Sequence, residues 1–203
     1  MKDKLQELNS YLEEIKLLGV IRNEQRSSFL QSEVYTCYLN NGRIIIRERL
    51  IKGGYSGSAS IIIPVTENNE ILTVIEPRVF TREGYGIGFP AGYIEEGEDA
   101  VVSARRELEE ETGYTSDNII ELDSFYQDEG CSSALNHIFI ALNCKREKEQ
   151  KLDKDEIIKY MLFTYDEILE LERLGYIKGA NTKLAITKIK SKIRRWYLCL
   201  MQK

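Results

Sequence analysis

The sequence predicts a protein of the α/β class, of the α+β type, in which a mixed β-sheet is flanked by helices. Apolar residues recur at helical spacing in some segments and follow strand patterns in others. The strand and helix segments interleave along the chain. Several neighbouring strands are joined by short turns and must therefore pair antiparallel, which favours a mixed sheet over a doubly wound parallel one.

The first half of the chain predicts one helix and four strands. Apolar side chains recur every three to four residues over 3–18, which predicts an amphipathic helix that ends at Gly19. Strands are expected at 34–38, 43–46, 59–65 and 71–75. The turn Asn40-Asn41-Gly42 joins the first two strands as a hairpin, and a polar turn at 66–70 joins the second two.

The second half begins with a glycine-rich segment, 84–97, which runs into a strongly charged helix. That helix is expected from Asp99 to Thr112, because Gly113 is well placed to stop it. Strands follow at 119–126, 137–142 and 157–163, and helices at 165–174 and 182–200. Basic residues lie opposite apolar residues along the last helix, and we interpret it as a packed helix with a solvated basic face.

Composition excludes several classes of protein. The 203 residues include 28 Lys+Arg and 33 Asp+Glu, so the net charge of −5 disfavours nucleic-acid binding. The charged N-terminal residues do not resemble a signal peptide, and the apolar runs are too short to cross a membrane. The four cysteines, Cys37, Cys131, Cys144 and Cys199, form no CxxC pair. We therefore expect buried thiols and a cytoplasmic location.

The charged helix carries an unusual concentration of carboxylates. Eight carboxylates and two arginines lie within 95–111, a net charge of −6. Glu107, Glu110 and Glu111 are spaced to project from one helical face. Clustered carboxylates suit a hard divalent ion such as Mg²⁺. A solvated acidic face is the alternative that the carboxylates alone would favour.

The spacing of the surrounding residues resembles the Nudix box in full. Five residues separate Gly92 from Glu98, and seven more precede Arg106. The chain then reads Arg106-Glu107-Leu108-Glu109-Glu110-Glu111-Thr112-Gly113-Tyr114, where Tyr114 is amphipathic and not plainly aliphatic. The resemblance implies a Nudix α/β/α sandwich over 51–203, preceded by a helix and strand extension at 1–50.

The resemblance also assigns roles to individual residues. Glu107 and Glu111 would be the principal Mg²⁺ ligands, with Glu110 a further ligand or base and the backbone carbonyl of Ala91 an additional ligand. Mn²⁺ is an alternative ion. Glu98 is placed to pair with Arg106, and Gly92 lets the substrate-binding loop bend before the helix. A carboxylate outside the box would take the proton of the attacking water.

Two segments resemble the ADP-ribose pyrophosphatase branch of the family, within a resemblance that extends over about 34–185. Ile75-Glu76-Pro77-Arg78, followed by Pro90-Ala91-Gly92, looks like that branch's entry to the box, so Arg78 would contact the diphosphate or its ribose. Gly130 and Ser132-Ser133 fit a later motif of the branch. Asp128-Glu129 replaces its usual Ser-Pro, which keeps other diphosphate substrates open.

The general base is expected in the loop before the strand at 157–163. Glu156 aligns best with the family's catalytic carboxylate, and Asp155 and Asp153 are alternatives. His137, which is the only histidine, falls in a strand, where a structural role is favoured over a catalytic one.

The expected activity is Mg²⁺-dependent hydrolysis of the diphosphate bond of ADP-ribose or a related nucleoside diphosphate sugar, giving AMP and ribose 5-phosphate or their analogues. The alternatives are a pyrophosphatase for a nucleotide sugar or dinucleoside polyphosphate, a non-catalytic nucleotide-binding regulator, and an RNA-end hydrolase. The branch also implies a homodimer, built by the N-terminal strands, in which aromatic residues from the two subunits enclose the adenine.

Overall fold

The structure is a computed structural model that describes residues 1–21, 29–53 and 56–200, with side chains as far as Ser191. The helices are α1 Lys2–Glu14, α2 Ala100–Thr112, α3 Tyr165–Leu174 and α4 Ala180–Leu200. The strands are β1 Leu30–Tyr38, β2 Ile44–Lys52, β3 Ala59–Thr66, β4 Ile71–Pro77, β5 Tyr85–Gly88, β6 Ala91–Tyr93, β7 Tyr114–Thr115, β8 Asn118–Tyr126, β9 Leu135–Arg146 and β10 Lys159–Phe163.

The main sheet has eight strands and is mixed, as the sequence predicted. Its central order is β10-β4-β3-β9-β7, with β5 beside β4, β6 beside β3 and β8 beside β9. The pairing of β3 with β9 is parallel, and every other pairing in this sheet is antiparallel. The parallel pair is buried at the centre, where Ile61 faces Ile138 and Ile63 faces Ile140.

Helices cover both faces of this sheet, which makes the α/β/α sandwich that the sequence predicted. Successive side chains of β3 point to opposite faces, so Ile61 and Ile63 enter one core and Ile62 enters the other. The first core is closed by α1, α3 and α4, and the second is closed by α2 through Ala104 and Leu108. The acidic helix is therefore fixed to the sheet by its apolar stripe.

The N-terminal helix is shorter than predicted. Leu8 is fully buried in the core, and Lys4 lies 2.9 Å from Glu167 of α3, so the helix packs firmly on the main domain. It ends at Glu14, five residues before the expected stop at Gly19. Leu18 is 99% exposed, so a continued helix would have no surface to pack against.

The predicted hairpin is present but longer than expected. β1 and β2 pair over their whole lengths, from Tyr38 opposite Ile44 to Leu30 opposite Lys52, and they form a separate two-stranded sheet. The sequence therefore located the turn correctly and underestimated the strands. The boundary proposed at residue 50 falls inside β2.

Three short strands were not predicted. β5 and β6 lie within the glycine-rich segment that resembled a loop, and β7 has two residues. Glycine lacks the side chain that identifies a strand in a sequence, and such short strands are defined only by the partners to which they pair. Here β5 pairs with β4 and packs beside α4, whereas β6 pairs with β3 and lies against α2.

The last helix, α4, packs on the sheet as predicted. Ile186 and Ile189 are buried, and Lys188 forms an ion pair with Asp123. The side chains beyond Ser191 lie outside the described residues.

The expectation of buried thiols was only partly right. Cys144 is buried, but Cys37 and Cys131 are partly exposed, so the expectation was wrong for these two. Among the described residues, no helix is long and apolar enough to span a membrane.

Candidate active site

Helix α2 directs a row of carboxylates toward the end of the sheet. The helix begins after Asp99 and stops at Gly113, whose φ of +75° is a conformation that glycine adopts without strain. Ala104 and Leu108 are fully buried against the sheet. The adjoining face carries Glu107 and Glu111, which are only 8% and 6% exposed.

The predicted ion pair between Glu98 and Arg106 is present. Nε and Nη2 of Arg106 each donate to one oxygen of Glu98 at 3.0 Å, a bidentate arrangement. These hydrogen bonds hold the pKa of the Glu98 carboxyl below its ordinary value. Arg106 also donates to the carbonyl of Tyr93 at 3.1 Å, which ties α2 to β6.

Arg106 reaches the box carboxylates as well. Its Nη1 lies 2.6 Å from Glu107 and 3.2 Å from Glu110. One guanidinium therefore serves three carboxylates, and its own pKa is raised, chiefly by the hydrogen bonds to Glu98. Its charge cannot neutralise all three of them.

Glu111 is the most deeply placed carboxylate of the site. The backbone N–H of Ala91 donates to its Oε2 at 3.2 Å. Burial, together with the neighbouring charges of Glu107 and Glu76, raises the pKa of Glu111 to about 9. Burial likewise raises the pKa of Glu107, although Arg106 opposes this shift. Both groups are costly to ionise without an additional cation.

Gly92 is required by the close approach of β6 to α2. A Cβ added at this position would overlap the carboxylate of Glu107. A side chain here would displace the carboxylate of Glu107 from its position beside the strand. This packing role accompanies the position that the sequence analysis gave Gly92 in the substrate-binding loop.

A further carboxylate, Glu76, was missed by the sequence analysis. It lies at the end of β4, pairs with Arg78 at 2.5 Å, and has a pKa raised by burial and by the charge of Glu156. Residues two apart in a strand share a face, so the position of Glu76 relative to Arg78 was a usable signal. The signal was overlooked because Glu76 lies outside the box.

The predicted residues meet in one cleft of about 590 Å³. Its walls include eight of the sequence-predicted site residues: Arg78, Ala91, Gly92, Arg106, Glu107, Glu110, Glu111 and Glu156. Glu98 reaches the cleft through Arg106. The cleft also contains side chains that the sequence did not suggest: Glu76, Gln127, Asn136, Lys151 and Asn181.

The loop before β10 brings two of its three candidate carboxylates into the cleft, and Asp155 is not among the lining residues. Glu156 and Asp153 both line the cleft, and an oxygen of Glu156 accepts a hydrogen bond from the backbone N–H of Asp153 at 2.9 Å. The charge of Glu156 contributes to the raised pKa values of Glu76, Glu107 and Glu111. His137 instead pairs with Glu121 across two strands, at 2.7 Å, in agreement with a structural role.

The donor set of the cleft fits a hard divalent cation. Within the described ranges, no three His, Cys, Asp or Glu side chains converge on one point, and Glu107 and Glu110 contact Arg106 instead. The cleft nevertheless has more carboxylates than basic side chains, since only Lys52, Arg78, Arg106 and Lys151 oppose them among its described lining residues. An ion with oxygen ligands would lower the cost of ionising Glu107 and Glu111.

Comparison with known proteins agrees with this geometry. Residues 56–181 match the NUDIX domain. The chain is 32% identical over 155 residues to the ADP-ribose pyrophosphatase of Bacillus subtilis (strain 168), which covers 76% of this chain and 81% of that protein. It is 34% identical over 149 residues to the methanol dehydrogenase activator of Bacillus methanolicus, covering 73% and 78%.

Solved structures show the same fold. A crystal structure of an ADP compounds hydrolase superposes with a TM-score of 0.71 at 22% sequence identity, covering 86% of this chain and 92% of that one. The complete box, the carboxylate cleft and these matches together identify the family. The chain therefore belongs to the Nudix hydrolases, in the branch similar to ADP-ribose pyrophosphatases.

Proposed function

We propose that this protein hydrolyses the diphosphate bond of ADP-ribose or a related nucleoside diphosphate sugar, giving AMP and ribose 5-phosphate or their analogues. The observation that carries the proposal is the cluster of buried carboxylates beside Arg78. The basic side chains of the cleft are too few to balance the charges of these carboxylates. Such a cluster suits a bound divalent ion and a diphosphate together. The similarity to the ADP-ribose pyrophosphatase of Bacillus subtilis supports this substrate class.

Glu107, Glu110 and Glu111, with the carbonyl of Ala91, would hold the ion, with Mg²⁺ as the natural cofactor and Mn²⁺ as a substitute. When bound, the ion neutralises the diphosphate and lowers the pKa of the attacking water. Arg78 binds a phosphate oxygen from the side opposite α2. Arg106, held by Glu98, keeps the box carboxylates in position.

Glu156 accepts the proton of the attacking water, because it faces the box carboxylates across the cleft. Asp153, which also lines the cleft, and Asp155 are the alternative bases. The water oxygen forms a bond to one phosphorus, the bridging P–O bond breaks, and the bridging oxygen leaves on the second phosphate. Each product is then a monophosphate.

An aromatic pair at the side of the cleft supports binding of a base. Phe29, at the start of the N-terminal hairpin, lies edge-on to Tyr93 with ring centroids 5.6 Å apart. Tyr93 lines the cleft directly after Gly92. A nucleobase beside these rings would gain the stacking energy of two aromatic side chains.

We also propose that the active form is a homodimer built by the N-terminal hairpin. Val34, Ile44 and Ile46 are 70%, 61% and 66% exposed, an unusual amount of apolar surface for one small sheet. A second copy would bury this surface. Light scattering should give twice the chain mass, and a monomer at micromolar concentration would contradict this proposal.

A different diphosphate substrate is the second candidate. Asp128-Glu129 occupies the position of the branch's Ser-Pro, in a turn closed by hydrogen bonds from the N–H groups of Cys131 and Ser132 to the carbonyl of Asp128. The adjacent Gln127 lines the cleft. This turn is therefore placed to alter which group is accepted beside the diphosphate.

The test is turnover of a substrate panel by the purified full chain. ADP-ribose, nucleotide sugars and dinucleoside polyphosphates are incubated with Mg²⁺, with Mn²⁺ or with a chelator, and the products are separated chromatographically. AMP and ribose 5-phosphate should form only with a divalent ion. Faster turnover of another compound would overturn the substrate assignment, and no product from any compound would overturn the hydrolase proposal. Tight binding of ADP-ribose without turnover would indicate a regulatory module.

A further inference from the structure

The end of helix α2 is held by the segment that follows β9. The last carbonyl groups of a helix have no partners within the helix itself. Here the N–H groups of Glu147 and Lys148 both donate to the carbonyl of Gly113 at 3.1 Å, and the N–H of Lys151 donates to the carbonyl of Glu110 at 2.8 Å. The segment is therefore docked on the end of α2 that carries the box carboxylates.

The side chain of Gln150 connects this helix end to the start of β10. Its Nε2 donates to the backbone carbonyl of Glu111 at 2.6 Å and to the carbonyl of Ile158 at 3.3 Å. An amide NH2 group carries two donors, so one side chain can make both hydrogen bonds. Ile158 is itself buried beside Leu72 and Val74 of β4. Gln150 therefore joins the helix that carries the most buried carboxylate of the site to the edge of the sheet.

The chain between these two anchors is the loop that carries the candidate bases. Residues 153–157 are all exposed, so no buried side chain fixes this turn. Within the turn, the N–H of Asp153 donates to the carboxylate of Glu156 at 2.9 Å, and the N–H of Glu156 donates to the carbonyl of Asp153 at 3.0 Å. The position of the turn relative to α2 therefore depends on its ends, where Gln150 and the partly buried Leu152 lie.

A second side-chain link between the same segment and α2 differs in kind. Lys148 contacts Glu109 on the outer face of the helix at 2.6 Å, and both side chains are more than one third exposed. Such an ion pair contributes little, and it joins the segment to the helix alone. The amide of Gln150 differs because it contacts both α2 and the far end of the loop.

We propose that Gln150 is a positioning residue, which sets the distance between the ion-binding carboxylates of α2 and the general base Glu156. The proposal rests on the function proposed above, because the roles of Glu111 and Glu156 come from it. The amide acts on the backbone, since it holds the two segments that carry these carboxylates. A base must lie within hydrogen-bond reach of the attacking water, and a displacement of about 1 Å costs on the order of 10²-fold in rate.

Replacement of Gln150 tests this role. Gln150→Met keeps the length of the side chain and removes both donors, and Gln150→Arg restores N–H donors on a planar group. Gln150→Met should lower kcat for the best substrate by about tenfold and change KM by less than about twofold, because the base is misplaced while the substrate contacts remain. Gln150→Arg should recover most of the loss. Unchanged kcat, a loss confined to KM, or equal losses in the two variants would overturn the proposal.

The matched control is Lys148→Met, which breaks the other side-chain link between the same segment and the same helix. Its kcat should lie within about twofold of that of the parent protein, because the hydrogen bonds of Gln150 remain. A loss as large as that of Gln150→Met would contradict the proposal, since any contact between segment and helix would then have the same effect.

A double-mutant cycle distinguishes positioning from a general loss of structure. Gln150→Met is introduced into the Glu156→Gln variant, and kcat is measured for the parent protein, the two single variants and the double variant. If Gln150 acts through Glu156, its replacement should cost less than about twofold once the base is absent. A cost of about tenfold in both backgrounds would mean that Gln150 supports the fold and not the base, and the proposal would then be wrong.

Hydrogen exchange separates this proposal from the proposed function, because it needs no turnover. In the full-length protein, Gln150→Met should speed the exchange of amides over 151–158 by about tenfold and leave 100–108 unchanged. That result supports the anchoring of the loop by Gln150 even if no substrate is hydrolysed. Equal exchange of the loop in both proteins, or faster exchange over 100–108 as well, rules the proposal out. Absence of turnover in the parent protein counts against the proposed function alone.

Discussion

Glu98 and Glu111 belong to the same sequence motif and yet lie in opposite electrostatic environments. The side chain of Glu98 is 13% exposed and accepts two hydrogen bonds from Arg106, so its pKa lies below the ordinary value. Glu111 is more deeply buried, accepts a hydrogen bond from the backbone N–H of Ala91, and has a pKa that burial and neighbouring carboxylates raise to about 9. The difference arises from deeper burial and from the lack of a guanidinium partner like the one that Glu98 has.

The contrast distinguishes Glu98, whose carboxylate has a protein cation as its partner, from the carboxylates of the cleft that have no such partner of their own. The fold supplies the partner of Glu98 in Arg106, so this pair is complete without any other molecule. Glu111, Glu107 and Glu76 share one region in which like charges raise one another's pKa values. An ion from solution would lower the pKa values of these three carboxyl groups, as Arg106 lowers the pKa of Glu98.

The largest expected effect comes from Glu111→Gln. This change keeps the shape of the side chain but removes the charge that would hold the ion, so kcat should fall by about 10²-fold or more. Steady-state turnover of the best substrate, over a range of Mg²⁺ concentrations, measures it. Near-normal kcat with an unchanged Mg²⁺ requirement would show that Glu111 is not a metal ligand.

Glu98→Ala should act mainly on stability. The change leaves Arg106 without its bidentate partner, and the loss of hydrogen bonds to a charged group should lower the free energy of unfolding by about 1–3 kcal/mol. Urea denaturation with a chelator present measures this loss. A variant as stable as the parent protein would mean that Glu107 and Glu110 fully replace Glu98 as partners of Arg106.

The pH dependence of stability should have opposite signs for the two carboxylates. Because folding raises the pKa of Glu111 to about 9, its contribution is fully present below pH about 4.3 and is lost as the pH rises toward 9. Folding lowers the pKa of Glu98, so its contribution is present above pH about 4.3 and is lost as the pH falls through its lowered pKa.

In a chelator, Glu111→Gln should therefore stabilise the protein more at pH 8 than at pH 5, by about 1–3 kcal/mol. Denaturant unfolding of the variant and its parent at both pH values gives this difference. Saturating Mg²⁺ should reduce the difference, because the ion stabilises the ionised carboxylate of the parent protein. An equal effect at both pH values would mean that Glu111 does not titrate between them.

Glu109→Gln should have the smallest effect and serves as the control. Glu109 lies on the same helix but faces outward, where Lys148 contacts it at 2.6 Å with both side chains more than one third exposed. Such a pair contributes little, so stability should change by less than about 0.5 kcal/mol and turnover should be unchanged. A large loss of turnover would extend the active site to the outer face of α2.

Much of the site could be predicted because its parts are close in sequence. The spacing of Glu107, Glu110 and Glu111 determines a common helical face wherever the helix is placed. Glu98 and Arg106 were recognised as partners for the same reason. Glu76 had a local signal in its spacing from Arg78, but Gln127 and Asn181 could not be predicted in this way, because they come from distant segments that meet only when the sheet forms.

The fold shows the same division. Long strands and helices were predicted within a few residues because their periodicity is a local property. The end of α1 at Glu14, and the short strands β5 and β6, depend on whether a packing surface or a pairing partner is present. These features shape the site, because β6 passes beside the carboxylate of Glu107 and β5 lines a neighbouring cavity of about 290 Å³ next to the start of α4.

The sequence by itself determined the family, the acidic helix and the shared face of its box carboxylates, because helical geometry converts spacing directly into a shared face. The tertiary structure decided their charge states and the space around them. Burial, the approach of Glu76 and Glu156, and the close passage of β6 beside Glu107 all depend on contacts between distant segments. A pKa and a cavity are properties of such surroundings, and no local pattern in the chain specifies them.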